Sequence, residues 1–115
     1  MKASSASAWN VTDLGEMSEA TIRRLHQPAE WHRVSRQVYP SGTCFTGTMK
    51  PAICYVLRGK CEYIFGSQIV VFSAGTWAEL PGGDYTFRVL GDDEMETVLA
   101  WRLPFAVPPL KGKAT

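Results

Sequence analysis

From residue 31 onward the chain breaks into short apolar or alternating runs separated by Gly, Pro and Asp: HRVSRQVY, TCFTGT, AICYVLRG, CEYIFG, QIVVFSAG, TWAELPGG, YTFRVLG and ETVLAWRL. Their spacing is close and nearly regular, and no helical pattern interrupts them. A β–α–β chain needs helices between its strands, so this texture predicts an all-β sandwich or barrel. Two of the runs, 52–57 and 69–72, are apolar at consecutive positions. Alternating strands bury one face, whereas continuous apolar runs bury two. Something must cover the outside of these strands. A short helix before the barrel and a second subunit are the two candidates.

The helix is expected at about 18–27. Ser18 is a capping residue ahead of EATIRRLHQ, Ile22 and Leu25 share one face, and Pro28 ends the run. Residues 1–17 are polar and small and read as a flexible leader, with Trp9 and Trp31 as anchors onto the barrel. The domain then runs over 18–104, and 105–115 reads as a proline-rich arm that cannot continue a central strand.

A chain of 115 residues with 45% apolar content fits one domain with a real core. The 12 basic and 11 acidic residues leave no electrostatic footprint for nucleic acid or an anionic membrane. The N-terminus has no apolar stretch of the secretory type, and no window approaches a membrane span. Cys44, Cys54 and Cys61 are odd in number and form no C-x-x-C pair, which fits free thiols in a reducing cytoplasm.

YVLRGKCEYIFG and SAGTWAELPGG together resemble the small cupin family, over roughly residues 31–104. The first cupin motif ends in a glycine, which Gly59 matches. Counting back, Ala52 falls where the family places glutamate, and Thr46 and Thr48 where it places two histidines. In the second motif Gly75, Pro81 and Gly83 match, and Thr86 falls where a histidine belongs. The resemblance implies a small β-barrel or jelly roll, a double-stranded β-helix with a short N-terminal helix. None of the four ligand positions carries a strong donor, since divalent transition metals need imidazole, thiolate or carboxylate. No metal or other cofactor is therefore expected at the usual centre.

Side chains alternate along a strand. If the vacated positions face inward, Thr46, Thr48, Ala52, Cys54, Thr86 and Arg88 line a pocket, joined by Trp77 and Glu79. As acid–base candidates the chain offers Glu79, His32 and Tyr85, with Tyr63 as a further phenol. For each there is a plainer role: threonines as strand formers, Cys54 as a small core residue, Arg88 at a solvated strand end, His26 solvated at a helix terminus. Asp92, Asp93 and Glu94 read as a solvated turn.

Two functions stay open at this point. One is a metal-free cupin domain that binds a small polar or anionic organic molecule, or acts as an accessory or sensor module. The other is a metal-independent isomerase, cyclase or epimerase of sugar or polyketide metabolism. A homodimer is expected, by resemblance and because Ile53, Tyr55 and Leu57 need covering.

Overall fold

The computed structural model describes residues 2–27 and 31–102. In chain order the elements are β1 (Lys2–Ser5), β2 (Ser7–Ala8), α1 (Val11–Leu14), α2 (Glu19–Leu25), β3 (His32–Tyr39), β4 (Cys44–Met49), β5 (Ala52–Arg58), β6 (Lys60–Phe65), β7 (Gln68–Ser73), β8 (Thr76–Leu80), β9 (Gly83–Leu90) and β10 (Met95–Arg102). Every run singled out in the sequence is a strand. They form two five-stranded sheets, the first ordered β1-β7-β6-β9-β4 and the second β2-β8-β5-β10-β3. No helix among the described residues is long and apolar enough to cross a membrane.

The inner faces pack on one another around Phe72, Phe87, Cys54, Val56, Cys61 and Met95, each 0% exposed. Gly59 makes the β5–β6 turn possible in two ways. Its φ of +82° lies in the left-handed region. A Cβ there would also stand 2.6 Å from the Met95 Cβ. Gly82 is fixed by proximity alone, since its Cβ would meet the Pro51 ring at 2.8 Å.

Helix α2 follows the expected chemistry. Ser18 caps it, its hydroxyl accepting the Thr21 N–H at 3.2 Å, and Arg23 pairs with Glu19 at 2.9 Å. Seven residues are too few for a helix to persist in water, so packing holds it. Ile22, fully buried, presses onto Tyr55, Val98 and Ala100 on the outer face of the second sheet. Trp9 and Met17 extend this cover. Tyr55 is thus buried and Ile53 and Leu57 half-buried by their own chain, which weakens the physical ground for burying them against a second subunit. Among the described residues nothing covers the other apolar run in this way, and Val71 is 36% exposed.

The segment read as a leader is stitched into the barrel. β1 runs parallel to β7 and β2 antiparallel to β8, so the segment passes from the first sheet to the second between two short strands. Ala6 N–H donates to Val71 C=O at 3.2 Å and Trp9 N–H to Gly75 C=O at 2.9 Å. Trp9 anchors as expected, with its ring 5.9 Å from that of Tyr55. Trp31 does not; it is 45% exposed. Pro28 and the arm 105–115 lie outside the described residues.

Candidate functional site

The place to look first is the inner end of the barrel where the resemblance puts a metal. Ala52, Cys54 and Val56 face inward, as expected. On β4 the phase is opposite to expectation. Phe45 and Met49 pack into the core, while Thr46 and Thr48 are exposed. Counting four residues before Ala52 instead of three places Phe45 and Gly47, not Thr46 and Thr48, at the inward positions. The physical reason is burial: a phenyl and a thioether gain far more from leaving water than two threonines do. The same holds on β9, where Tyr85, Phe87 and Val89 face in, Thr86 turns out and Arg88 is exposed. Arg88 pairs with Glu62 on the neighbouring strand at 3.5 Å. On β8 the buried Leu80 sets the phase, so Trp77 and Glu79 point away from the core.

Aromatic rings fill the interior. The Phe87 ring lies 4.8 Å from Tyr39, 5.0 Å from Phe45 and 5.1 Å from Tyr63. Tyr85 lies against Gly47, where an added Cβ would come within 3.2 Å of its hydroxyl. Phe45, Gly47 and Ala52 carry no metal donor. No group of three or more His, Cys, Asp or Glu among the described residues is placed to share an ion. The residues present do not fit a metal centre at the family's position.

Cys54 is equally unsuited to chemistry. Thr97 donates its hydroxyl proton to Tyr55 C=O at 2.9 Å, so the Cys54 thiol, 3.3 Å away, donates to Thr97. Burial pushes the thiol up to about 12.

Thr46, Thr48 and Thr86 do meet, but outside. With Asp84 they rim an open depression of about 550 Å³ on the first sheet, where Thr48 donates to Asp84 at 2.7 Å.

A better-equipped cleft lies at the end of the second sheet where β5 begins and β8 and β10 finish. It measures about 410 Å³ and is lined by His26, His32, Pro51, Ile53, Glu79 and Trp101, among others. Helix α2 delivers His26 to it, against the expectation of a solvated helix end. The His26 Nε2 is 2.8 Å from the Tyr55 hydroxyl, and its ring centre is 5.4 Å from that of His32. Burial, and then the nearby His32, hold His26 below its usual value of 6.5, so it stays neutral near pH 7. Burial lifts Tyr55 to about 12, which keeps its proton available for the His26 bond. Glu79 and His32, two of the three acid–base candidates, share this cleft. Tyr85, the third, packs against the core between the sheets. His26 and Tyr55 were not among the site candidates. They are 29 residues apart, and nothing local in the sequence links them.

Neither a protein-family model nor a curated protein matches the chain. Solved structures do. The EutQ protein of Clostridium difficile is 21% identical, with a TM-score of 0.56 over 64% of this chain and 58% of that one. A Cupin 2 conserved barrel domain protein from Salinispora arenicola is 20% identical, with a TM-score of 0.53 over 62% of each chain. An RmlC-like cupin family protein with a double-stranded β-helix fold, from Methanocaldococcus jannaschii, is 12% identical, with a TM-score of 0.56 over 64% of this chain and 71% of that one. The matches to the first two span less than two thirds of those proteins. The chain has the cupin fold, the double-stranded β-helix, with aromatic side chains packed where the family pattern places metal ligands.

Proposed function

We propose that this chain is a cytoplasmic cupin-fold binding module that holds a small polar organic molecule in the cleft beside helix α2 and uses no metal at the family's centre. One observation carries the reading: both histidines of the chain and Glu79 line one cleft of about 410 Å³, while the barrel interior is filled by aromatic rings. Ligand sites pair an apolar wall with a few placed polar groups. Here Pro51, Ile53 and Trp101 supply the wall, and His26, His32 and Glu79 the polar groups. No Lys or Arg is among the described lining residues and His26 is neutral, so the cleft favours a hydroxylated or amide-bearing molecule over an anion.

The test is a small-molecule screen read by thermal unfolding. A ligand at a hundred times its Kd adds about 2.7 kcal/mol to stability, a clear rise in Tm. In Glu79→Gln the rise should shrink while the unliganded Tm holds. A ligand whose effect is untouched by Glu79→Gln and His26→Ala, or one found inside the barrel, overturns the proposal.

A second reading is a metal-independent isomerase, cyclase or epimerase working in the same cleft. It is favoured by one feature, a neutral histidine with a carboxylate in the same cleft. Turnover of a bound ligand that Glu79→Gln abolishes, with binding retained, would select it.

A further inference from the structure

The His26 ring is bonded at one nitrogen. Its Nε2 lies 2.8 Å from the Tyr55 hydroxyl. Among the described residues every buried side-chain nitrogen and oxygen has a partner, and Nδ1 has none there, so Nδ1 is not sealed in. The ring is half-buried and lines the cleft, which is the open space beside it. The direction of the bond to Tyr55 therefore decides what this nitrogen offers. Near pH 7 the neutral ring carries a single proton. If that proton sat on Nε2, the ring would donate to a phenol oxygen, a poorer acceptor than an imidazole nitrogen. The phenolic proton would then face no acceptor among the described residues. With the hydroxyl donating instead, both groups are satisfied and the imidazole proton falls on Nδ1. Tyr55 is 5% exposed, so little water competes for its proton.

Glu79 supplies the opposite polarity, because a carboxylate accepts and does not donate. Tyr55 pairs with Trp77 across β5 and β8, and Glu79 lies two residues beyond Trp77 on the same face. Such diagonal positions are about 7–8 Å apart. Ile53, the direct cross-strand partner of Glu79, lies between them, two residues before Tyr55. One small molecule over Ile53 can therefore meet a donor at His26 and an acceptor at Glu79, with Pro51 and Trp101 completing the apolar wall.

We propose that Tyr55 fixes His26 as its Nδ1–H tautomer, and that the cleft thereby selects a carboxamide whose C=O accepts from His26 and whose N–H donates to Glu79. This selectivity rests on the cleft being the binding site proposed above. Tyr55 touches no ligand; it is a positioning residue that acts through the imidazole. A ketone satisfies His26 and leaves Glu79 without a donor. A ligand carboxylate does the same and sets like charge against Glu79. A hydroxyl has one oxygen and cannot serve both ends at once. An amide carries its acceptor and its donor on separate atoms of one planar group. Carried on an apolar ring, that group suits a wall of Pro51, Ile53 and Trp101.

The experiment is nitrogen NMR of the isotope-labelled full chain above neutral pH, followed by titration with benzamide, acetophenone and benzyl alcohol. The imidazole signals lost in His26→Gln identify the ring. Its proton should sit on Nδ1 in the natural chain and move to Nε2 in Tyr55→Phe, a change that a merely structural role for the phenol would not produce. Acetophenone matches benzamide in shape, with a methyl in place of the amino group. Benzamide should bind about tenfold tighter than either of the other two. Glu79 is exposed, so Glu79→Ala leaves the fold intact and should erase that preference. A proton on Nε2 in the natural chain overturns the proposal. So does acetophenone or benzyl alcohol binding as tightly as benzamide, or no binding by any of the three, or benzamide that binds without disturbing the His26 signals. None of these results by itself removes the cleft as a binding site, which the thermal screen decides.

Discussion

The two outer faces of this barrel are finished in opposite ways. The second sheet hides its outer face: Val98 and Ile22 are fully buried against each other, and Tyr55 is 5% exposed beneath α2 and Trp9. The first sheet leaves its outer face in water, with Thr46, Thr48, Asp84 and Arg88 exposed. The difference follows from the strands. Ala52–Arg58 is apolar in consecutive positions and carries a lid, whereas Gly83–Leu90 alternates and needs none; β7 of the first sheet is also apolar in consecutive positions yet leaves Val71 36% exposed. The titratable cleft belongs to the covered sheet, at the margin of the lid. A lid edge is where burial is partial, and partial burial is what displaces the His26 titration while leaving it reachable.

The comparison breaks most directly at Ile22. Ile22→Ala should cost about 2–5 kcal/mol by denaturant unfolding, because its cavity lies between helix and sheet. Thr46→Ala on the bare face should stay within about 0.5 kcal/mol. Similar losses for both would mean that α2 covers nothing that matters.

A smaller effect sharpens the claim at the lid margin. Tyr55→Phe removes the hydroxyl bonded to His26 and should cost about 1 kcal/mol. The pH dependence has a definite sign. His26 titrates below 6.5 in the folded protein, so between that lower value and 6.5 the unfolded chain binds more protons. Stability should therefore be full above pH 6.5, fall as pH drops through that window, and level off below it. His26→Gln should remove its part of the slope. A natural chain that gains stability as pH falls from 7 would contradict the burial of His26.

Least of all should change on the first sheet. Glu62→Gln removes the partner of Arg88, whose side chain is 53% exposed, and should cost under about 1 kcal/mol. A larger loss would mean that this face is covered after all.

The strands were legible because their signal is local. Alternation, β-branched residues and glycine punctuation sit within each run, and the capping of α2 sits within Ser18–Thr21. The phase of β4 was harder to read. CFTGTM supports either face inward, and the family spacing allows three residues or four. The bulk of Phe45 and Met49 decides it. The N-terminal residues lacked a side-chain signal altogether, because β1 and β2 join the sheets through backbone bonds that small residues make as well as large ones. The cleft was half legible: Glu79 and His32 were candidates, but the meeting of His26 with Tyr55 depends on how α2 crosses the sheet, which no local pattern encodes.

The three thiols differ in a way that makes the molecule report on its own integrity. Cys44 is exposed, whereas Cys54 and Cys61 are 0% exposed and burial raises both far from the range in which thiolates form. A thiol-reactive dye should therefore count one sulfur in the intact protein and all three once the sheets part. The rate at which the second and third react then measures how often the barrel opens, with no engineered label.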